Sequence, residues 1–280
     1  MRLPKAFEFP VAYRKNGQWI PIAKRKAIVG ENGSVYNIVS DKYKLVQHED
    51  VVSVVKHVLN DFGVAPIYEK FELSRNYAVM FYTVLTDRKI VSNDELWFGF
   101  TVTNSYDGST GIGFNVSGMR LACENGLIFS RSLFKTPKIR HLKSLLEPNY
   151  DKIADSIKVI LENLDELVDL IEMSMKSTVS ALELVDFIER TFKDVPVIKR
   201  KIYALLKHNG IDLTPYIEEY KKAQGQKPLF EEFAELEEVN IWTAYNCITD
   251  VLTHKRGRVD VPRIYELQQK ASRLLAYAIS

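Results

Sequence analysis

The strongest chemical signal in the sequence is a run of cationic side chains without a carboxylate. Between Glu124 and Glu147 the chain has no Asp or Glu. The cations in this stretch are Arg131, Lys135, Lys138, Arg140 and Lys143, with His141 among them. Cations that pair with phosphates release condensed counterions, which favours binding. The stretch is therefore a candidate phosphate-binding track, and a solvated basic loop is the alternative interpretation.

A second basic cluster lies near the N-terminus and adds to an uneven charge distribution. Its members are Arg14, Lys15, Lys24, Arg25 and Lys26. Residues 1–145 hold 20 Lys or Arg and 13 Asp or Glu, a balance of +7, whereas the remaining residues hold 18 and 23, a balance of −5. Since the whole chain has a net charge of only +2, this asymmetry indicates that one part of the chain meets an anionic partner.

Aromatic side chains near the predicted strands could supply contacts to bases. Trp97 and Tyr106 are candidates for stacking, an interaction that contributes about 1–3 kcal/mol per base. Packing in the core, or anchoring of a hairpin, is the competing interpretation for each ring. Arg120 follows the same strands and is a candidate for neutralising one phosphate.

Residues suited to catalysis or metal binding do not form a recognisable pattern. None of the five histidines is spaced as in HxH, HxxxH or HExxH, and two cysteines cannot form a four-cysteine metal site. The acids weighed for metal-dependent nuclease chemistry are Asp87, Asp94, Glu95 and Asp107. They would serve it only if they converge, because two-metal chemistry needs several carboxylates at one point. The sequence predicts no catalytic residue, no metal and no cofactor, and a nuclease is the least favoured alternative.

The predicted elements place these residues on an antiparallel sheet with one packed helix. Residues 1–30 are expected to form a loosely packed arm with a short strand. Apolar residues recur at helical spacing over 51–62. Strands are predicted over 67–73 and 77–86, followed by a hairpin over 98–116.

One face of the predicted hairpin carries only small and polar residues. Phenylalanine, valine and isoleucine occupy one phase of both strands, and glycine, threonine, serine and asparagine occupy the other. Such a face lets another backbone approach closely. The first interpretation is a helix packed on the small side chains, and the functional alternative is a groove for a sugar–phosphate backbone.

From residue 149 onward the pattern becomes helical. Apolar residues from Tyr150 to Ile171 are spaced alternately by three and four positions, which is a heptad seam with acidic flanks. The seam needs a partner helix, either inside the chain or in a homo-oligomer formed through residues 150–171. We therefore predict an α+β fold, with an antiparallel sheet and the basic stretch in a domain over residues 1–145 and a mostly helical domain over 146–280.

Three segments, in this order, resemble a known family. They are Asn104 to Ser109 (NSYDGS), Gly118 to Gly126 (GMRLACENG) and Ile241 to Thr249 (IWTAYNCIT). Over roughly residue 35 to the end, the chain is similar to the phage- and plasmid-borne domain of unknown function number 932. The resemblance carries over no catalytic residue, and it implies a role in the DNA metabolism or host conflict of a mobile element.

A second, weaker resemblance concerns the order of the elements. A helix, then antiparallel strands, then helices is similar to the core of phage single-strand annealing proteins of the Redβ and Erf type. This likeness implies an oligomer that holds single-stranded DNA along a basic groove.

These observations predict a non-enzymatic nucleic-acid-binding protein of a virus or mobile element, which binds or anneals single-stranded DNA in recombination or replication. The basic stretch and Arg120 would hold phosphates, and Trp97 and Tyr106 would stack on bases. The alternative is a protein-interaction module, for anti-defence or assembly, that contacts a host protein through the acidic helical half. Because the sequence has no secretory signal and no apolar run long enough to cross a bilayer, we expect it in the cytoplasm of a prokaryotic host, with no membrane partner.

Overall fold

A computed structural model of the chain describes residues 2–92, 94–122, 124–129, 138–139, 150–223, 237–254 and 257–279. It confirms the α+β class, because antiparallel sheets occupy the N-terminal half and helices occupy the C-terminal part. Within these ranges, no helix combines the length and the apolar character needed to cross a membrane.

The N-terminal residues form a regular sheet rather than a loose arm with a short strand. Its antiparallel strands are β1 (Ala6–Lys15), β2 (Gln18–Gly30) and β3 (Val35–Ser40), in the order β1-β2-β3. Asn16 and Gly17 connect β1 to β2, with positive φ angles of 50° and 82°. Two consecutive positive φ angles are what a two-residue type I′ turn requires, so this dipeptide explains the hairpin.

A larger antiparallel sheet forms the centre of the molecule. Its strands are β4 (Tyr68–Leu73), β5 (Val79–Val91), β6 (Asp94–Ser105), β7 (Ile112–Arg120) and β8 (Asn125–Ile128), in that spatial order, with β9 (Lys138–Ile139) also paired to β7. A bulge between Leu85 and Asp87 lies opposite Gly99. A Cβ at Gly99 would be 2.1 Å from the Val84 carbonyl oxygen, so only glycine fits this position.

Helices pack on the apolar face of the central sheet. The first is α1 (His48–Asp61), which agrees with the helix predicted over 51–62. The predicted heptad seam is divided between α2 (Tyr150–Glu162) and α3 (Leu164–Lys176). Asn163 separates them, because its side-chain amide donates to the Val159 carbonyl and its backbone N–H bonds to the Ile160 carbonyl.

The residues of the seam pack against other elements of the same chain. Its buried members are Ile153, Ile157, Ile160, Leu164, Leu167 and Ile171, and all belong to the main apolar core. The internal alternative therefore accounts for the seam. A homo-oligomer stays a prediction, and this burial leaves the seam residues unavailable to it.

The remaining helices share this core with the central sheet. They are α4 (Ala181–Thr191), α5 (Pro196–His208), α6 (Thr214–Lys222), α7 (Ile241–His254), α8 (Val261–Ala271) and a 3₁₀ helix (Ser272–Ile279), and β10 (Thr178–Ser180) pairs with β11 (Glu238–Asn240). The main core contains residues from both predicted domains. The predicted boundary near residue 145 itself lies outside the described residues.

Candidate nucleic-acid interface

The tip of the β1–β2 hairpin brings cations and aromatic rings together. Arg14 lies directly opposite Trp19, and Tyr13 lies opposite Ile20. Residues that face each other across an antiparallel pair share one side of the ribbon. Arg14 and Trp19 therefore share one side, whereas Tyr13 and Lys15, two residues apart on β1, share the other. Each side of the tip offers one ring and one cation.

Four cations of this hairpin have no ion pair with any residue that the structure describes. They are exposed, and none of them forms an ion pair within the described part of the chain. The four hairpin cations are Arg14, Lys15, Lys24 and Arg25. Lys26 differs, because its Nζ donates to Glu8 Oε1 at 2.7 Å. Because no carboxylate of the described residues is within ion-pair distance of these four side chains, their charges are available to an external anion.

The backbone under two of these cations is irregular but held in place. The register between β1 and β2 shifts between Pro10 and Ala12, and Lys24 has a positive φ of 59°. A non-glycine residue in this conformation is strained by roughly 1–2 kcal/mol. The Asp41 N–H donates to the Lys24 carbonyl at 3.1 Å. The main chain at Lys24 is therefore fixed, whereas its side chain is exposed.

Two aromatic rings at the hairpin tip are open to solvent. Trp19 is 70% exposed, and Tyr13 is 48% exposed. Rings of this kind stack on any base, because every base has a π face. The hairpin can thus contact phosphates through its cations and bases through its rings.

The structure gives Arg120 a carboxylate partner in place of a phosphate. Its Nε donates to Asp94 Oδ2 at 2.7 Å, and the Trp242 Nε1 lies 3.4 Å from the same oxygen. The Asp94 side chain is mostly buried. Because the Arg120 charge is already neutralised inside the fold, the prediction that it holds a phosphate is corrected to a structural ion pair that joins β6 and β7.

Tyr106 is fully buried and presents no ring to a ligand. Its hydroxyl donates to the Pro4 carbonyl at 2.8 Å and accepts from the His48 N–H at 2.9 Å. The Tyr106 and His48 rings stack, with centroids 3.8 Å apart. Burial raises the pKa of the hydroxyl further above its ordinary value of 10. The stacking prediction for Tyr106 is therefore wrong, and its alternative, an anchor of the hairpin, is correct.

The other predicted site residues are only partly placed. Trp97 is half-buried, and its Nε1 donates to Glu95 Oε1 at 3.0 Å. The backbone of Lys138 lies in β9, where it pairs with Gly113. The remaining predicted cations lie outside the described residues, so their role stays a prediction. They are Arg131, Lys135, Arg140 and Lys143.

The small polar face of the central sheet is covered and does not form a groove. The hydroxyls of Thr83, Thr101 and Ser117 form a chain across three strands, with successive oxygens 2.7 Å apart. The Tyr265 hydroxyl, from α8, lies 3.3 Å from the Thr83 oxygen. Because α8 replaces solvent over these buried groups, the packed-helix interpretation is confirmed and the groove alternative is wrong.

The acids weighed for nuclease chemistry are not gathered at one point. Glu95 pairs with Arg88 at 2.7 Å, and Asp87 pairs with Lys89 at 3.3 Å. Asp107 accepts a backbone hydrogen bond within its own turn. In the described ranges, no three metal-ligating side chains are close enough to share an ion.

The β1–β2 hairpin could have been predicted from its turn residues, although residues 1–30 show no clear periodicity of apolar residues. Asn-Gly between extended residues is the strongest short-range indication of a β-hairpin. At Asn16-Gly17 it places Arg14 and Trp19 on opposing strands, near one tip. The cations of the second basic cluster then belong to one ribbon instead of a loose arm.

The chain matches a known family over most of its length. The family is described as Domain of unknown function (DUF932), and its model matches residues 35–276. No curated protein and no solved structure matches the chain, and the weaker resemblance to annealing proteins is not confirmed. The matched range starts with β3, so β1 and β2 precede it. By the extent of this match, the chain belongs to the DUF932 family.

Proposed function

We propose that this protein binds nucleic acid without catalysing a reaction on it, and that single-stranded DNA is its preferred ligand. One observation carries the proposal: on the β1–β2 hairpin, exposed cations without ion pairs lie beside exposed aromatic rings. The proposed setting is recombination or replication of a virus or mobile element inside a prokaryotic cell.

Charge supplies the affinity in this proposal. Each phosphate that pairs with one of the four hairpin cations releases counterions, and this gain is independent of sequence. No described carboxylate of the chain pairs with these cations, so phosphate binding breaks no existing ion pair. The predicted cations from Arg131 to Lys143 would add further phosphate contacts.

The exposed rings favour single strands. Trp19 and Tyr13 can stack on a base only when a neighbouring base does not already cover it. A two-stranded β-ribbon also fits the major groove of duplex DNA. The experiment must therefore compare the two forms of DNA directly.

Fluorescence polarisation with labelled oligothymidylate and a matched duplex tests the proposal. We expect wild type to bind oligothymidylate more tightly than the duplex. When the four hairpin cations become Gln, the affinity for oligothymidylate should fall about tenfold or more, because several phosphate contacts are lost. The matched control removes the same charge from the helical part of the chain. Its substitutions are Lys193→Gln, Arg200→Gln, Lys221→Gln and Arg273→Gln, all at exposed positions.

Two results would contradict the proposal. If the wild-type protein binds neither oligothymidylate nor the duplex at low salt, it is not a nucleic-acid-binding protein of this kind. Equal losses in the hairpin variant and in the control variant would show that net charge, and not the hairpin, determines binding.

A protein-interaction role is the second candidate, favoured by a different surface. Four carboxylates on α2 and α3 are exposed and have no ion pair among the described residues. They are Asp151, Asp155, Glu166 and Asp169. A complex with a purified host protein that persists in high salt, and that is lost when these residues become Asn or Gln, would support this role. A complex unaffected by the substitutions would contradict it.

A further inference from the structure

The three-stranded sheet has one covered face. Ala6, Ile28 and Val39 are buried there together with Tyr106. These residues pack the sheet against the end of the β6 strand and the turn that follows it. The other side of the sheet has no such cover among the described residues.

The opposite face is apolar and open. Phe7 and Phe9 on β1 are 47% and 50% exposed, and Val35 and Ile38 on β3 are similarly exposed. In the strand pairing, Phe7 aligns with Val35 across β2, and Phe9 aligns with Ile38. Aligned residues share a face, so these four side chains form one surface, here termed the open face.

We propose that the open face binds unpaired bases of single-stranded nucleic acid, with Phe7 and Phe9 as the stacking residues. The inference rests on the proposed function. It adds a site for bases to the phosphate contacts of the hairpin cations.

The spacing of the two rings suits an extended strand. Phe7 and Phe9 are two residues apart on β1, which places them about 7 Å apart, because a strand rises about 3.4 Å per residue. Nucleotides along one strand of duplex DNA are only about 3.4 Å apart. Successive bases can each meet one ring only if the nucleic acid is stretched beyond duplex spacing, so the open face selects single strands.

The open face and the hairpin cations lie along the same strand. From Phe9 to Arg14, β1 extends by about 17 Å at the usual rise of a strand. A single strand that runs along β1 can therefore place bases on Phe7 and Phe9 and phosphates at the hairpin tip, where each side of the ribbon carries a cation.

Charge complementarity favours a polyanion over a second copy of the chain. Residues 7–44 contain seven Lys or Arg and three Asp or Glu. A two-fold dimer through the open face would bring this basic segment against itself, because such an interface uses the same patch of both copies. A nucleic acid brings phosphates to the same segment and is attracted.

Two double variants separate base stacking from general apolar contact. Phe7→Leu/Phe9→Leu keeps the face apolar and removes both rings, whereas Phe7→Trp/Phe9→Trp keeps a ring at each position. We expect the Leu variant to lose about fivefold or more in affinity for oligothymidylate per ring, and the Trp variant to keep wild-type affinity. Neither variant should change the affinity for duplex DNA. Phe62→Leu removes a similarly exposed ring next to α1 and serves as the control.

The outcomes distinguish this inference from the proposed function. Circular dichroism melting checks that each variant folds. We expect all of them to fold, because the substituted side chains are half-exposed. If the Leu variant keeps wild-type affinity while the hairpin-cation variant loses it, the open face is not a base site and the proposed function stands. If wild type binds no nucleic acid, both fail. If light scattering shows a dimer that Phe7→Ser/Phe9→Ser dissociates without changing affinity per chain, the face is a contact between copies and the inference is overturned.

Discussion

Removal of two hairpin cations should reduce the salt dependence of DNA binding by the contribution of two phosphate contacts. For single strands, each phosphate contact contributes about −0.7 to the slope of log K against log salt concentration. Contacts by all four hairpin cations contribute about −2.8 to the slope, which is a fall in affinity of about 50-fold between about 50 mM and 200 mM salt. In Lys24→Gln/Arg25→Gln two of these contacts remain, so the slope becomes less steep by about 1.4 and the fall over the same range becomes about sevenfold smaller.

The structure makes this slope interpretable. Neither Lys24 nor Arg25 has an ion pair with a described residue, so their replacement leaves no carboxylate without a partner. Glutamine keeps a flexible, polar, though shorter, side chain and removes its charge. Polarisation titrations with oligothymidylate across a series of salt concentrations give the slope for each variant.

The control for this measurement is Lys193→Gln/Arg200→Gln, which removes the same charge from exposed positions near and on α5. Its slope should equal that of wild type. An unchanged slope in Lys24→Gln/Arg25→Gln would show that these side chains do not contact phosphate, and the assignment of the interface to the hairpin would be refuted.

Three further predictions test the corrected roles and the fold. Tyr106→Phe should destabilise the protein by about 1–3 kcal/mol in urea unfolding, because the His48 N–H and the Pro4 carbonyl lose their partner; wild-type stability would contradict this role of the hydroxyl. Gly99→Ala should destabilise the protein by about 1–3 kcal/mol or more, because the added Cβ overlaps the β5 backbone. A variant as stable as wild type would contradict the bulge geometry. Hydrogen bonds from Lys207 and Thr214 lower the pKa of Asp212 from 3.8 to about 2, so its carboxylate stabilises the fold above pH 3.8 and this contribution disappears as pH falls through about 2. The melting temperature of Asp212→Asn should accordingly be below that of wild type at neutral pH and converge with it in acid, and a constant difference would contradict this.

Elements with strong periodicity could be predicted from the sequence because burial of one face imposes the period. The valines of α1 recur at helical spacing, and Val51, Val55 and Val58 are fully buried. The alternation of Phe98, Phe100 and Val102 likewise marks the apolar face of β6. The seam of α2 and α3 follows the same rule, although the pattern does not show the interruption at Asn163. That interruption depends on a side-chain hydrogen bond, which periodicity does not record.

The candidate site was harder to predict because partners distant in sequence decide what each side chain contacts. The small polar face on β5, β6 and β7 is buried by α8, which follows β7 by more than a hundred residues. Tyr106 is buried because residues before β1 and at the start of α1 surround its hydroxyl. The sequence allows a packed helix and a buried ring, but it does not identify Tyr265, Pro4 and His48 as the partners. The Asn16-Gly17 turn is different, since its signal is local and suffices to define the hairpin.

The contrast between Arg14 and Arg120 gives a physical criterion for choosing among the cations of this chain. Arg120 is 2.7 Å from a mostly buried carboxylate, so a phosphate could bind it only by leaving that carboxylate without its cation. Desolvated charges that lose their partner are strongly destabilising. Arg14 is exposed and has no ion pair among the described residues, so phosphate binding there breaks no interaction. Arg14 and the rest of the β1–β2 hairpin precede residues 35–276, which match the family model, so membership of the family is not itself an argument for the proposed interface.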